Sequence, residues 1–442
     1  MNIAHAPQHS GYTHTSGSAE RFITTIIVIF IMYGMFFSPE SYFAEQSFAV
    51  QSQGGESTSI PPIGRFGYLV TLLVLGVIYI KHLNIMLGAI RRSWLPISFG
   101  VVALTSSMWA SDVAGSANRS LRMMIVVLFA IYFVRCYNDK ERIAILAHAM
   151  VVAIICSVLA VIIIPKYGMS AINGYTDAWR GAFTHKNTLG AVMAAGIFIG
   201  YYALATRAIR SSTALFIMVG CFGLLIASRS ATSIVATIAT LPLIYGLGWV
   251  FLVKNISDKI LLFGGGLLLS GALVWLIKDS NIAFELLGRS QTLTGRAEVW
   301  QLTQAAIEAN PYFGYGHTFW SYPSPMRDEI WMRLTWAAPH AHNTFLDIWL
   351  QMGILGVVVY VAMMAKLIIR GVRIILGNMP FSVILWIILL VQTIIRSLTE
   401  TDLLDTAING MFWITVIYAI FAELSAQSKA VALQNTAKST TK

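Results

Sequence analysis

The stretch Pro339-His-Ala-His-Asn-Thr-Phe-Leu-Asp-Ile-Trp-Leu-Gln-Met-Gly-Ile-Leu-Gly356 joins a polar segment to a long apolar run. Ahead of it lies the longest polar segment of the chain, from about residue 278 to residue 339. The apolar run behind it is long enough to enter a membrane as a helix. Two histidines and an asparagine therefore stand at a predicted boundary between water and lipid. This position favours a site that handles a molecule with one water-soluble end and one apolar end.

The composition of the whole chain indicates an integral membrane protein. Of its 442 residues, 57% are hydrophobic and 11% are charged, whereas soluble domains carry about 25% charged residues. One soluble core cannot bury this much apolar surface. The net charge of +10 is spread between apolar runs, which indicates membrane topology rather than nucleic-acid binding. The three cysteines lack metal-ligand spacing and are interpreted as core residues.

Twelve apolar runs are long enough to span a bilayer, which takes about 17–25 residues. They lie near residues 22–38, 66–82, 94–110, 119–135, 142–164, 187–206, 211–227, 231–252, 260–277, 343–365, 380–396 and 409–426. Lys and Arg recur in the short connections on one side, which places both termini in the cytoplasm. We therefore predict an all-α polytopic membrane protein of about twelve transmembrane helices, with a large outward-facing loop between helices 9 and 10.

The predicted organisation has five parts. They are a cytoplasmic tail (1–21), helices 1–9 (22–277), a large periplasmic loop with short amphipathic helices (278–342), helices 10–12 (343–426) and a second cytoplasmic tail (427–442). Within the loop, Thr294 is predicted to cap a helix that runs to Ala309 and is stopped by Asn310-Pro311. Ser324-Pro325 is predicted to open a second helix, which runs to about Leu334.

Basic residues on the outward side oppose the usual charge bias and need an explanation. Arg229 stands between two serines and two apolar runs, and Arg180, Lys186 and Arg296 lie in or beside outward loops. The planar fork of arginine suits a phosphate or a diphosphate. Contact with lipid headgroups through an extended side chain is the alternative. The residues alone leave both interpretations open.

The histidines have three interpretations. His342 and Asn343 open the tenth predicted span, and His340 precedes them. A neutral imidazole can take a proton from a hydroxyl, so catalysis is one interpretation, and capping or packing is another. The histidines could also form a metal pair, but the sequence offers no obvious third ligand, and neither a metal nor a cofactor is predicted. Asp347, one turn later on the face of Asn343, is either a site residue or a structural charge.

The outward loop is rich in aromatic residues, among them Trp300. Flat rings stack on the apolar faces of sugars, and they also form belts at membrane interfaces or pack within a loop. Carboxylates on the outward side are sparse and form no Asp-x-Asp pair beside other oxygen ligands. This pattern argues against a glycosyltransferase that depends on a divalent metal.

Four groups of residues carry a resemblance to a known family. They are Arg180-Gly-Ala-Phe-Thr-His-Lys-Asn187, then Ser228-Arg-Ser230, then Thr294-Gly-Arg-Ala-Glu-Val-Trp300 with Asn310-Pro-Tyr-Phe-Gly-Tyr-Gly316, and finally His340-Ala-His-Asn-Thr-Phe-Leu346 with Gly353-Ile-Leu-Gly356. In this order they resemble the motifs of the O-antigen ligase and polysaccharide polymerase family. The resemblance covers roughly residues 100–400 and is nearest to the exopolysaccharide polymerase branch.

The resemblance implies a glycosyltransferase of the GT-C type in the bacterial inner membrane, with its active site facing the periplasm. Its donor would be a glycan on undecaprenyl diphosphate, and it would need no metal. Arg229 and Arg296 would bind the donor diphosphate and His342 would be the catalytic histidine. Asp347 or Glu298 is expected to assist His342. The candidate substrate contacts are Arg180, Lys186, Asn187, His340, Asn343, Trp300 and Asp347.

The resulting prediction is a polymerase that joins lipid-linked repeat units. A ligase that moves the lipid-linked glycan to lipid A–core or to a protein hydroxyl is the first alternative. A transporter of lipid-linked glycans is the second, although it would predict ionisable residues deep within several spans and inverted halves. The expected partners are lipid-linked donor and acceptor glycans and membrane lipid, without nucleic acid. A chain-length regulator and a flippase are further candidate partners.

Overall fold

The computed structural model describes residues 18–33, 62–170, 177–183, 185–279, 296–334, 337–377, 380–401, 403–404 and 410–440. Apart from one isolated bridge between Met169 and Trp179, the regular structure of these residues is helical. The α-helices are α1 (Ser18–Tyr33), α2 (Pro62–Lys81), α3 (Leu83–Arg92), α4 (Trp94–Thr105), α5 (Val113–Cys136), α6 (Asp139–Ile163), α7 (Pro165–Gly168), α8 (Lys186–Ala205), α9 (Ser211–Ala227), α10 (Ala231–Val250), α11 (Ile256–Asp279), α12 (Arg296–Ala309), α13 (Pro325–Leu334), α14 (Thr344–Leu376), α15 (Val383–Ser397) and α16 (Gly410–Thr440). A 3₁₀ turn, Ser106–Trp109, follows α4.

The described helices confirm an all-α, multi-pass membrane protein. Seven of them are long and apolar enough to cross a membrane, namely α5, α6, α8, α10, α11, α14 and α16. The pair α2 and α3 is bent by 107° and would form one more span if counted together. The shorter helices α1, α4, α9 and α15 lie on the remaining apolar runs. Each predicted run therefore coincides with a helix, while the total of twelve spans stays a prediction.

The described residues between α11 and α14, namely 296–334 and 337–343, form their own small core. The helices α12 and α13 end at Ala309 and Leu334, as the sequence predicts, whereas Thr294, the predicted cap, lies outside the described residues. Apolar side chains from both helices pack with Phe319 and Trp320. This core is separate from the large core of the membrane helices, so the described part of the segment is a folded unit seated on α14. At the other end of the chain, the predicted division at residue 427 falls inside α16.

Helix α14 is interrupted at Gly353, where φ is +63° and ψ is −166°. The turn that follows α12 fills this interruption. Tyr315 donates its N–H to the Leu350 carbonyl at 2.8 Å, and Ile354 donates to the Pro311 carbonyl at 3.1 Å. These bonds satisfy backbone groups that the interruption removes from the helix, as a low-dielectric environment requires. The junction fixes the end of α12 against α14 and so sets the position of both helices at the site.

We expect Gly353→Ala to destabilise the protein. Its backbone angles are adopted readily only by glycine, and a Cβ there would lie 2.1 Å from the Tyr312 carbonyl oxygen. The backbone strain alone costs on the order of 1–3 kcal/mol. Thermal unfolding in detergent measures the effect, with Gly265→Ala as the control because a Cβ at Gly265 meets nothing within 4 Å. An unchanged melting temperature for Gly353→Ala would contradict the close fit of this junction.

Candidate active site

A buried acid, Glu400, is the centre of the polar cluster and follows the end of α15. Its Oε1 accepts a hydrogen bond from Arg296 Nη2 at 2.9 Å and another from Asn187 Nδ2 at 3.1 Å. Its Oε2 lies 3.3 Å from His342 Nδ1. The Glu400 side chain is 4% exposed, so these groups replace the water that would otherwise solvate the carboxylate. Three of the predicted site residues therefore meet at one acid.

Each of these three partners belongs to the start of a helix. Asn187 lies in the first turn of α8, Arg296 opens α12, and His342 immediately precedes the cap of α14. His185 caps α8 by accepting the Asn187 N–H at 3.1 Å, and Asn343 Oδ1 caps α14 by accepting two backbone N–H groups. Helix starts carry partial positive charge and attract anions. Their convergence favours an anionic ligand beside the acid.

The loop before α14 holds His342 in an uncommon backbone conformation, with φ at +51°. Residues other than glycine adopt positive φ only where their surroundings fix it. His340 Nδ1 accepts the His342 N–H at 3.1 Å, and the two ring centroids are 4.1 Å apart. Trp300 Nε1 donates to the Ala341 carbonyl at 3.0 Å. These contacts tie the loop to α12 and aim the His342 ring at Glu400.

Burial and charge set the protonation of this cluster. Burial alone would raise the pKa of Glu400, but its hydrogen bond with His342, the positive charge of that ring when it is protonated and the Arg296 guanidinium outweigh burial and hold that pKa well below its usual range. Burial, reinforced by the positive charge of His342 when that ring is protonated, lowers the pKa of His340 well below the ordinary value. The carboxylate is therefore ionised and the His340 ring neutral at neutral pH.

The free energy of unfolding should fall as the pH drops from 6.5 towards about 4. Burial is the largest effect on the pKa of His185, which is lowered from 6.5 to about 4 in the folded protein. The charge of Glu400 opposes this shift, and the charge of Lys186 adds to it. Between these values the unfolded chain binds a proton that the folded protein does not bind, so acid favours unfolding. His185→Asn keeps a capping side chain and should show a weaker pH dependence of the melting temperature in this window. If the melting temperatures of the two proteins depend equally on pH, His185 is not the cause of the loss of stability in acid.

Arg229 lies apart from the hydrogen bonds around Glu400. Its side chain is 53% exposed, and its Nη1 lies 3.5 Å from Asp177 Oδ2. It too has a positive φ, +48°. Ser230 beside it packs against Gly190, since a Cβ on this glycine would lie 2.6 Å from Ser230 Cβ. The turn that carries Arg229 is therefore seated against α8, one helical turn below Asn187, while its contact with a diphosphate stays a prediction.

Arg180 and Lys186 are buried rather than open to solvent, at 2% and 3% exposure. Arg180 donates from Nε to the Tyr167 carbonyl, and its guanidinium lies 4.9 Å from the centre of the Tyr167 ring. Lys186 is the first residue of α8. Both residues therefore place buried positive charge close to the start of α8. Direct contact with a substrate remains a prediction for both residues.

Asp347 and Asn343 both have structural contacts. Asp347 is fully buried, and its Oδ1 accepts a hydrogen bond from Trp320 Nε1 at 2.5 Å. Asn343 caps α14 and also donates from Nδ2 to the Leu398 carbonyl at 3.4 Å. For Asp347 this geometry favours the structural-charge interpretation. For these residues and for Trp300, contact with a substrate stays a prediction.

A metal pair between the histidines gains a third possible ligand in the structure. Ligand atoms of His340, His342 and Glu400 lie within 4.8 Å of one another. However, the same carboxylate accepts a hydrogen bond from the Arg296 guanidinium at 2.9 Å, which repels a cation. His340 Nδ1 is occupied by a backbone N–H. The contacts therefore favour a network of charged hydrogen bonds over a metal centre.

Glu400 is not among the site residues predicted from the sequence. Asp347 and Glu298 are the carboxylates predicted to assist His342, whereas the structure pairs His342 with Glu400 and leaves Glu298 exposed. The available signal was a carboxylate placed directly after an apolar run, in Arg396-Ser-Leu-Thr-Glu400. An ionisable residue at the mouth of a predicted span is a site candidate, and this acid met that description.

Fold and cluster together define a polytopic membrane protein with a charged site where several helices begin. Residues 187–361 match the family model described as O-antigen ligase. Over 310 residues the chain is 24% identical to the exopolysaccharide production protein ExoQ of Rhizobium meliloti (strain 1021), which covers 66% of this chain and 69% of that protein. Both matches support the O-antigen ligase and polysaccharide polymerase family. Glu400 lies beyond the residues that the family model matches.

Proposed function

We propose that the protein polymerises oligosaccharide repeat units carried on undecaprenyl diphosphate, at the periplasmic face of the bacterial inner membrane. The growing glycan on its lipid is the donor, and the incoming lipid-linked repeat unit supplies a sugar hydroxyl. The observation that carries the proposal is the meeting of His342, Arg296 and Asn187 at one buried carboxylate. The match of residues 187–361 to the family model and the similarity to an exopolysaccharide production protein support it.

In the proposed reaction His342 takes the proton of the acceptor hydroxyl. The ionised Glu400 accepts the Nδ1–H of the ring, which leaves Nε2 as the basic nitrogen and stabilises the imidazolium that forms. The hydroxyl oxygen attacks the anomeric carbon of the donor with inversion, and the bond from that carbon to the diphosphate breaks. The electron pair leaves with the lipid diphosphate, and the proton stays on His342 until it passes to solvent.

Arg296 and Arg229 are the proposed ligands of the leaving diphosphate. Arg296 stands beside His342 at the start of α12 and is 18% exposed. The exposed Arg229 can exchange its contact with Asp177 for a phosphate oxygen, because a surface ion pair contributes only about 0–1 kcal/mol. Guanidinium groups fixed beside the breaking bond stabilise the charge that develops there. This chemistry uses no metal, and the proposed architecture is twelve spans of the GT-C type.

A ligase is the second candidate function. The matching family model is described as O-antigen ligase, and a ligase would use the same donor and the same inverting chemistry. The two functions differ in the acceptor, which is another lipid-linked repeat for a polymerase and a lipid A–core or protein hydroxyl for a ligase. The cluster around Glu400 serves either one.

Glycan analysis of cells that lack the gene separates these functions. For a polymerase we expect single lipid-linked repeat units to accumulate, and the wild-type gene to restore long chains. Long polymer that persists without its usual acceptor would instead identify a ligase. A glycan that is unchanged in both length and attachment would overturn both proposals and favour transport.

A further inference from the structure

Helix α3 runs across the ends of its neighbours instead of continuing the direction of α2. The two helices meet at His82 and are bent by 107°. The 20 residues of α2 are about 30 Å long, which is enough to cross a bilayer without α3. Trp94, which follows α3, lies beside Lys366, toward the end of α14 that is remote from His342. Helix α3 therefore lies at the face of the protein opposite the candidate active site.

The sides of α3 differ in their surroundings. The helix packs against α5 and α16, and Met86 and Ala89 are its buried residues. Leu83, Leu87 and Arg91 follow one another at intervals of four residues, so they form one stripe along the helix, and all three are exposed. Exposed apolar residues that continue into an arginine are typical of a helix that lies in the plane of a membrane interface. The stripe therefore places Leu83 and Leu87 against lipid and Arg91 at the level of the headgroups.

Both ends of α3 carry positive charge, in a part of the sequence that has no acid. Lys81 precedes the helix, Arg91 and Arg92 end it, and all three side chains are exposed. The chain contains no Asp or Glu between Glu56 and Asp112. Within the described part of the chain, none of the three basic residues forms an ion pair. An anionic group complements this face, and the guanidinium fork suits the oxygens of a phosphate.

Trp94 indicates where the membrane boundary lies beside this face. Its side chain is half exposed, and Lys366 Nζ lies 5.2 Å from the centre of its ring. Tryptophan is enriched where a bilayer meets water, because its ring is apolar and its N–H is polar. Lys366 adds another cation at the same level. An acidic protein surface would complement the charge of α3 but not its exposed leucines, whereas an anionic bilayer surface complements both.

We propose that α3 is a binding site for anionic phospholipid headgroups, at the membrane face opposite the candidate active site. Phosphate oxygens accept hydrogen bonds from Arg91 at one end of the helix and from Lys81 at the other. The acyl chains of the same lipids pack on Leu83 and Leu87, with Trp94 at the headgroup level. Each basic residue near an anionic membrane surface strengthens the attraction about fivefold. This site is independent of the proposed function, because it involves none of the residues around Glu400.

Photo-crosslinking from the exposed stripe tests this site in the full-length protein. A benzophenone side chain takes the place of Leu87, and the nanodiscs contain equal amounts of phosphatidylglycerol and phosphatidylcholine. Mass spectrometry should find more adduct with phosphatidylglycerol, and Arg91→Gln should lower the ratio of the two adducts about fivefold. Arg210→Gln is the control, because it removes an exposed charge at the start of α9 instead. Equal amounts of the two adducts, or a ratio that Arg91→Gln leaves unchanged, would overturn the proposal.

The same crosslinking in living cells distinguishes a lipid from a protein partner. The proposal predicts that the benzophenone at position 87 forms adducts with phospholipid. A protein adduct in place of the lipid adduct would overturn the lipid site and assign α3 to an acidic protein. The melting temperature of each variant is measured alongside, and it should stay near that of the wild-type protein, because substitutions of exposed side chains without ion pairs change stability little.

Discussion

Replacing His342 with asparagine should abolish chain elongation, with a fall in rate of about 10²–10⁴-fold, the usual contribution of a general base. Asparagine is the more informative substitution because it tolerates the positive φ of +51° better than alanine does. The backbone of the loop is then retained and only the proton acceptor is lost. The rate is measured with purified protein and a lipid-linked repeat unit, alongside the melting temperature.

Arg207→Asn is a matched control for this experiment. Arg207 also has a φ of +51° and follows the opposite end of α8, so the same substitution tests backbone tolerance without touching the site. We expect normal elongation from this variant. Normal elongation by His342→Asn as well would remove the imidazole from the mechanism.

Replacing Glu400 with glutamine should have a comparable effect on the rate, about 10²–10⁴-fold, because neither the His342 ring nor the Arg296 guanidinium would face a negative charge. The substitution should also destabilise the protein, since breaking a buried charge pair costs about 3–5 kcal/mol. Glu329→Gln is the matched control. Glu329 accepts from Arg333 at 2.6 Å, but both side chains are about half exposed or more, so little stability should be lost.

A double-mutant cycle separates catalysis from folding at Glu400. Arg296→Gln combined with Glu400→Gln leaves two neutral groups that can still bond, so the double variant should be more stable than the sum of the single losses implies. Its elongation rate should stay low, because the charge beside His342 and the proposed diphosphate ligand Arg296 are both missing. Recovery of both stability and rate in the double variant would show that Glu400 serves only to neutralise Arg296.

Helices whose position depends on residues close together in the sequence were predictable. Apolar runs of sufficient length locate helices, and local stop and start signals give the ends of α12 at Ala309 and of α13 at Leu334. The interruption of α14 was less accessible. Gly353 was visible as part of a motif, but its role depends on a backbone turn at Pro311–Gly316 that fits into it.

The sequence predicts several residues of the site but not the contacts that join them. His342, Arg296 and Asn187 all carry chemistry that suits a polar site, yet the acid that joins them is 58, 104 and 213 positions away in sequence. No periodic pattern relates such distant positions. Burial was equally hidden, because Arg180 and Asp347 are polar residues in outward-facing or boundary positions by sequence but are enclosed in the fold.

The most direct measurement is elongation by the purified protein in proteoliposomes, with a single lipid-linked repeat unit as both donor and acceptor. The proposed function predicts a ladder of lipid-linked products that differ by one repeat. The ladder should be insensitive to EDTA and absent with His342→Asn. If the protein elongates nothing but transfers the unit to an added lipid A–core acceptor, or moves it across the membrane intact, polymerisation is contradicted.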